Sequence, residues 1–234
     1  MKFPDLKGKW VVVTGAGGGI GRSTALAFAR RGANVVLSDI SAQALSAVEA
    51  EVRALGVSTH VATVDVSNEA AMREFADAVH QKVGAVDVVV NNAGIGYIGP
   101  MFDSPLESWK RVLDINVMGV VHGCCFFGPR MKAAAGPRRI VNVASLAGIA
   151  PAPNMSAYAA TKHAVMGLSD VLAMELDGTN VGVTTVCPGI INTAITSHRG
   201  NIAASITDAQ LAQLQAYYKA NGVSPDVVAE AIVD

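Results

Sequence analysis

The chain has 234 residues, 51% hydrophobic and 16% charged, with a formal net charge of −1. That length buries a substantial core in one α/β domain or two small ones, and the near-neutral balance excludes the basic footprint of a nucleic-acid binder. No run of 18 apolar residues marks a membrane span, and three cysteines without C-x-x-C spacing (Cys124, Cys125, Cys187) argue against a disulfide framework or a zinc site.

The first predicted element is a strand, Trp10–Thr14. The glycine-rich stretch 15–21 follows, and then a helical pattern through Thr24, Ala27, Phe28 and Arg31. Strand, glycine turn and helix form the context in which a backbone cradles phosphate. Glycine reaches positive φ without a Cβ clash, a missing side chain admits a pyrophosphate, and the helix start offers free N–H groups. The strict G-x-G-x-x-G pattern fails, because Ile20 stands where its third glycine belongs. T-G-x-x-x-G-x-G fits instead, on Thr14, Gly15, Gly19 and Gly21. A P-loop is excluded, since no Gly-Lys-Ser/Thr follows. The alternative is a glycine-rich surface turn without ligand.

Further strands are predicted at 34–38, 60–64, 86–90, 139–144 and 181–187. Several are continuous Val/Ile runs, as parallel strands covered on both faces require. Helical stripes lie between them: Leu45, Val48, Val52 and Leu55; Met72, Phe75, Val79 and Val83; Trp109, Val112, Leu113, Asn116, Val117 and Val120. Repeated strand–helix–strand units predict a Rossmann-type, doubly wound parallel α/β sheet with helices on both faces, in a single domain covering 1–234. Ligands of such sheets sit beyond the strands' C-terminal ends.

Residues at those ends are therefore the candidates. Asp39 follows the second strand, where a carboxylate can hold both adenosine ribose hydroxyls and repel a 2′-phosphate, which favours NAD over NADP. The competing reading makes it a helix N-cap, with Ser41 as its rival. Arg22 is a caution, because an arginine there could reach a phosphate and leaves NADP possible. Asp65 and Val66 follow the third strand, where a carboxylate either meets an adenine amino group or caps the next helix. Asn92, Ala93 and Gly94 follow the fourth, suited to a backbone against a cofactor or to an ordinary turn. Ser145 follows the fifth. Tyr158 comes thirteen residues later, and Lys162 four beyond that, on one helix face. A phenol titrates near ~10, and a nearby cation is expected to lower that value, making a usable acid/base. Asn116 lies in an apolar stripe and must find partners if buried.

Together these motifs resemble the classical short-chain dehydrogenase/reductase family, from about residue 6 to the C-terminus. The resemblance implies that Tyr158 is the general acid/base, that Lys162 tunes it and holds the nicotinamide ribose, and that Ser145 orients the substrate oxygen. It implies that Asn116 maintains a helix distortion and a proton relay, that Pro188 and Gly189 lie beside the nicotinamide, and that Thr193 contacts its carboxamide. Dinucleotide contacts fall on Gly15, Gly19, Ile20, Gly21, Asp39, Asp65, Val66, Asn92, Ala93 and Gly94. The implied activity interconverts a secondary alcohol and a ketone with NAD(H), in a homodimer or homotetramer. One departure stands out: after the helical pattern Pro225–Val233 the family's last strand is missing.

The resemblance also implies a substrate-covering lid at about 190–224; here that segment carries Ile195, Ile202, Ile206, Leu211, Leu214, Tyr217 and Tyr218, and Leu211, Leu214 and Tyr218 are spaced as a helix face. With Ile95, Tyr97, Leu146, Met155 and Ile190 as pocket neighbours by analogy with the family, it predicts an apolar, medium-to-large substrate. Alternatively these residues only pack on the body or on another subunit. A catalytically silent dinucleotide-binding scaffold and a sugar-nucleotide-type epimerase are the competing functions. No metal is expected. The opening residues 1–5 lack the apolar core of a signal peptide, and a reducing cytoplasm is the expected location.

Overall fold

The structure, a computed structural model, describes residues 5–234. Residues 1–4, part of the stretch read as lacking a signal-peptide core, lie outside the described residues. Six parallel strands, β1 (Trp10–Thr14), β2 (Asn34–Asp39), β3 (Thr59–Thr63), β4 (Val88–Asn91), β5 (Arg138–Val143) and β6 (Val181–Val186), form one sheet in the order β3-β2-β1-β4-β5-β6. Among the described residues β6 is the last strand of the sheet.

Alternation along the valine runs assigns each side chain to one of two cores. Val11, Val13, Val35, Leu37, Val88 and Val90 pack beneath α1 (Gly19–Arg30), α2 (Ala42–Arg53) and α8 (Pro225–Val233). Val12, Val36, Val89 and Ile140 pack on the other face, against Met72, Phe75 and Val79 of α3 (Glu69–Val83) and Phe127 and Met131 of α5 (Gly119–Ala133). Strand order reverses between β1 and β4, so the crevice above their C-terminal ends is where a ligand enters. The predicted stripes hold with two exceptions, Leu55 and Leu113, the latter 40% exposed. Leu55 stands beyond the end of α2 and is exposed, whereas Leu45, Val48 and Val52 are buried.

α4 (Leu106–Leu113), a π-helical turn (Asp114–Met118) and α5 make one helical run of 28 residues. By length and composition alone this run is apolar enough to cross a membrane. It is not an uninterrupted apolar run: Lys110, Arg111 and Asp114 lie within it. Its Asn116, His122, Phe127 and Met131 are buried within the protein.

His80 of α3 meets Phe127 edge-on, with ring centroids 5.2 Å apart, and its buried Nε2 has no hydrogen-bond partner. Burial, then the charge of Arg130, pushes its imidazole below the usual histidine range. A histidine held low in the folded state stabilises the fold above the unfolded value of ~6.5, and that stability is lost as pH falls through the folded value. Thermal unfolding scans from pH 7.5 to 5 should therefore show Tm falling in acid. In His80→Leu the acid-side fall should shrink by on the order of 2–4 °C. An unchanged pH profile would contradict this role for His80.

Candidate active site

Two glycines of the loop after β1 admit no side chain. A Cβ on Gly21 would lie 2.0 Å from the Gly15 carbonyl oxygen, and one on Gly15, at φ +64°, would lie 2.8 Å from Ala93 Cα. The β4 end and the loop are thus in contact. Asn92 Nδ2 donates to the carbonyls of Thr14 and Gly15, at 2.9 and 3.2 Å. Thr14 Oγ1 accepts from the N–H groups of Asn92 and Ala93, both at 3.0 Å. The Asn92 amide is therefore spent on shaping the loop. Thr14 is a positioning residue that the sequence reading used only as a motif letter. Gly18 precedes α1 with no side-chain cap, and a Cβ there would meet nothing within 4 Å. An open cradle before an uncapped helix start fits a pyrophosphate.

Asp39 is the last residue of β2. Its Oδ2 accepts from Gly17 N–H and its Oδ1 from Ser41 N–H, both at 2.9 Å. Ser41 Oγ caps α2 through Ala44 N–H at 3.2 Å, so the capping role falls to Ser41. Arg22 is held by Glu51 of α2, its Nε 2.9 Å from Oε1 and its NH2 group on Oε2. Asp65 is exposed and accepts from Ser67 N–H and Oγ within its own turn, at 2.9 and 2.7 Å. Val66 is buried, and its carbonyl oxygen meets His122 Nδ1 at 2.8 Å. Half-buried Ile20 packs against the core beneath α1.

Asn116, fully buried, sits in the π-helical turn. Its Oδ1 accepts from Ile95 N–H at 2.8 Å, and its Nδ2 donates to the Ile95 carbonyl at 2.9 Å and to Thr161 Oγ1 at 3.2 Å. Thr161 Oγ1 donates in turn to the Tyr158 carbonyl at 2.7 Å. The extra residue of a π turn breaks the regular helical ladder. Here the side chain at the break ties the β4 loop to the helix that carries Tyr158. A Cβ on Gly94 would lie 3.1 Å from Asn116 Oδ1 and 3.7 Å from Lys162 Nζ, so this glycine separates the two.

α6 (Ser156–Glu175) carries Tyr158 and Lys162 one turn apart, both buried. Lys162 Nζ donates to the Val143 carbonyl at 2.9 Å and lies 5.7 Å from the centre of the Tyr158 ring. The Ser145 side chain stands close enough to the Tyr158 phenol to favour its ionised form. Ser145 Oγ accepts from Ala147 N–H at 3.1 Å. Burial brings the Lys162 ammonium down to about 8, partly opposed by Cys187 beside it. Burial raises the Tyr158 phenol above its ordinary value, Ser145 pulls it back, and the nearby Tyr218 adds to the rise. This corrects the expectation that Lys162 lowers the phenol: desolvation of a phenolate outweighs the other influences.

The segment after β6 closes over these groups. Leu146 N–H donates to the Pro188 carbonyl at 2.8 Å, which sets Pro188 beside Ser145. Gly189 is open, its nearest neighbour to a built Cβ being Leu146 Cδ2 at 4.0 Å. Thr193 Cγ2 stands 3.2 Å from where a Gly19 Cβ would be, so the segment reaches back to the glycine loop. Val223 N–H donates to the Ile190 carbonyl at 3.0 Å, and Met155 bridges Gly99. α7 (Asp208–Asn221) forms where Leu211, Leu214 and Tyr218 are spaced for it, behind a Thr207/Gln210 capping box. Ile202, Ile206 and Leu211 are buried in one cluster with Tyr97, Val112, Ala157 and Tyr158. Of the two readings of these residues, packing on the body holds for these three.

Residues 9–202 match the short chain dehydrogenase family. The chain is 44% identical over 227 residues to "Probable oxidoreductase EphD" of Mycobacterium tuberculosis, covering 95% of this chain but only 38% of that protein. It is 37% identical over 194 residues to 1-deoxy-11-beta-hydroxypentalenate dehydrogenase of Streptomyces avermitilis, covering 82% of this chain and 71% of the relative. Its fold superposes on a short chain dehydrogenase/reductase from Burkholderia phymatum, solved in complex with NAD, at a TM-score of 0.90 and 36% identity, covering 97% of this chain and 85% of that one. An alcohol dehydrogenase from Thermococcus sibiricus, solved with 5-hydroxy-NADP, superposes at a TM-score of 0.83 and 26% identity, covering 97% of this chain and 89% of that one. With its glycine cradle, parallel sheet and Ser145–Tyr158–Lys162 cluster, this chain belongs to the short-chain dehydrogenase/reductase family of oxidoreductases, whose cofactor is a nicotinamide dinucleotide.

Proposed function

We propose that the protein interconverts a secondary alcohol and a ketone with NAD(H), with Tyr158 as general acid/base. The observation that carries this reading is the buried Tyr158 phenol beside Ser145, with Lys162 Nζ 5.7 Å from its ring. Gly15, Gly19, Gly21 and the α1 start would hold the pyrophosphate, Asp39 the adenosine ribose, and Lys162 the nicotinamide ribose. Pro188, Gly189 and Thr193 would flank the nicotinamide, and Asp65, Val66 and Ala93 the adenine side. When bound, the dinucleotide supplies or accepts the hydride. Ser145 and Tyr158 hold the substrate oxygen, and Tyr158 gives its proton to a forming alkoxide or takes one from an alcohol. Asn116 keeps the Tyr158 turn in place through Thr161. Met155 and Ile190 bound an apolar substrate site under a lid at about 190–224. All three cysteines are free, in keeping with a reducing cytoplasm. The exposed Val171 and the half-buried Leu168 of α6, with Val121 of α5, offer an apolar face for pairing of subunits.

The preference for NAD rests on Asp39 and on Arg22 being held by Glu51. A 2′-phosphate beside a carboxylate that already accepts two backbone N–H bonds would be repelled. Asp39→Ala with Ile40→Arg should lower the NAD over NADP ratio of kcat/KM by about 10²-fold, on the order of 2.7 kcal/mol. Steady-state kinetics with both cofactors read it. A wild-type enzyme that prefers NADP would overturn the assignment.

A further inference from the structure

Two buried polar groups, one of them in the cluster that holds Tyr158, have no partner. The Tyr97 hydroxyl and Asn201 Oδ1 make no hydrogen bond, and their residues are only 3% and 6% exposed. Such groups are costly when left unsatisfied, and each calls for a reason. Their backbones lie side by side. Ile98 pairs with Ile202 in a parallel bridge, Ile98 N–H donates to the Asn201 carbonyl at 3.0 Å, and Ala203 N–H donates to the Ile98 carbonyl at 2.8 Å. Tyr97 and Asn201 therefore precede the paired residues on adjoining chains. One belongs to the loop after β4 and the other to the segment that covers the site. Tyr97 lies in the same apolar cluster as Tyr158, with Ala157, Ile206 and Leu211 around them. A Cβ on Gly99 would lie 3.2 Å from the Tyr97 ring and 2.6 Å from Ala203 Cβ, so the ring is held from the side by packing rather than by its hydroxyl.

We infer that Tyr97 and Asn201 form a polar notch in the otherwise apolar substrate wall, built to take a second hydroxyl of the substrate, remote from the carbon that reacts at Tyr158. A hydroxyl suits both groups: it accepts from the Tyr97 O–H and donates to Asn201 Oδ1, whereas a carbonyl oxygen serves only the tyrosine. The substrate class is an apolar-bodied hydroxy-ketone, or the corresponding diol, rather than a plain hydrocarbon ketone. Selection follows from the same physics. A ligand lacking the hydroxyl leaves both buried groups unpaired, and a site built to hydrogen-bond one group rejects the analogue without it far more strongly than an apolar pocket rejects an extra methylene. Asn201 lies on the covering segment and Tyr97 on the body, so the second hydroxyl would also tie the cover down over the reacting carbon.

This inference rests on the ketone/alcohol reading of Tyr158, and the test separates the two. Matched cyclic ketones, with and without one ring hydroxyl at varied distance from the carbonyl, are compared as substrates with NADH. Cyclohexanone with 4-hydroxycyclohexanone is the smallest pair, and decalone-type bicyclic pairs extend the reach. In the wild type at least one hydroxylated member should exceed its partner in kcat/KM by about tenfold or more. In Tyr97→Phe, and separately in Asn201→Leu, that ratio should collapse toward one. The free Tyr97→Phe protein should melt at or above the wild-type Tm, because it loses a buried hydroxyl that bonds nothing. A ratio that persists in Tyr97→Phe, a wild type with no preference in any pair, or a lower Tm for Tyr97→Phe would overturn the notch. If no ketone is reduced although NADH binds, as read by its fluorescence, the ketone/alcohol reading fails and takes the notch with it.

Discussion

Tyr158→Phe should lower kcat for alcohol oxidation and ketone reduction by about 10²–10⁴, the span expected when a positioned acid/base is removed. Dinucleotide affinity should stay within a few-fold of the wild type, since the ring remains and only the hydroxyl goes. Rapid-mixing absorbance of NADH reads the first quantity, and NADH fluorescence titration the second. The pH dependence follows from the raised phenol. Reduction needs the protonated form, which prevails at neutral pH, so its rate should be flat there and fall only in alkali. Oxidation needs the phenolate, so its rate should climb with pH across the alkaline range. The Lys162 ammonium, brought down to about 8 by burial, loses its charge over the same alkaline range. Full turnover in the phenylalanine variant would remove Tyr158 from the chemistry.

The second large effect belongs to the glycine loop. A Gly21→Ala methyl would be placed 2.0 Å from the Gly15 carbonyl oxygen and 2.6 Å from Asn92 Nδ2. Neither contact can be kept, and both neighbours are fixed by the Asn92 clamp on the Thr14 and Gly15 carbonyls. The loop must open, which moves the cradle before α1 and breaks the link between β1 and β4. Dinucleotide affinity should fall by at least about 10²-fold, on the order of 2.7 kcal/mol. Calorimetric titration measures it, with far-ultraviolet circular dichroism to show that the sheet survives. Wild-type affinity in Gly21→Ala would mean that the pyrophosphate does not use this turn.

Much of the fold was legible in the sequence because its strands are buried on both faces. Valine runs such as Val11, Val12 and Val13 need no partner information to be recognised, and β1 through β6 fall within two residues of their expected bounds. Helix ends were less legible. Leu55 matches the stripe of α2 by spacing, yet the helix stops at Arg53 and leaves it exposed, because hydrophobic period says nothing about where a chain turns. The burial of Asn116 could be posed as a question from its stripe, but the π turn that answers it depends on Ile95 and Thr161, which no spacing rule connects.

The candidate site divides in the same way. Residue types at strand ends point to Asp39 and Ser145, helical spacing points to Tyr158 and Lys162, and the structure brings the last three together. The sign of the Tyr158 shift was not legible, since local spacing sees the lysine and not the desolvation imposed by Ile202, Ile206 and Leu211 from a distant segment. For the same reason the rivalry between Asp39 and Ser41 needed coordinates. Both can cap a helix in principle, and only the Gly17 N–H bond shows the aspartate turned toward the glycine loop.

Transfer of isotope tests the central claim most directly. NADH carrying deuterium at both C4 positions of the nicotinamide ring is mixed with the enzyme and a ketone in ordinary water, and the product alcohol is read by mass spectrometry and proton NMR. Direct hydride transfer at the Ser145–Tyr158–Lys162 site predicts one deuterium on the carbinol carbon and an ordinary proton on its oxygen, with yield lost in Tyr158→Phe. Tight NADH binding with no deuterium delivered to any ketone, in the wild type as in the variant, would contradict it.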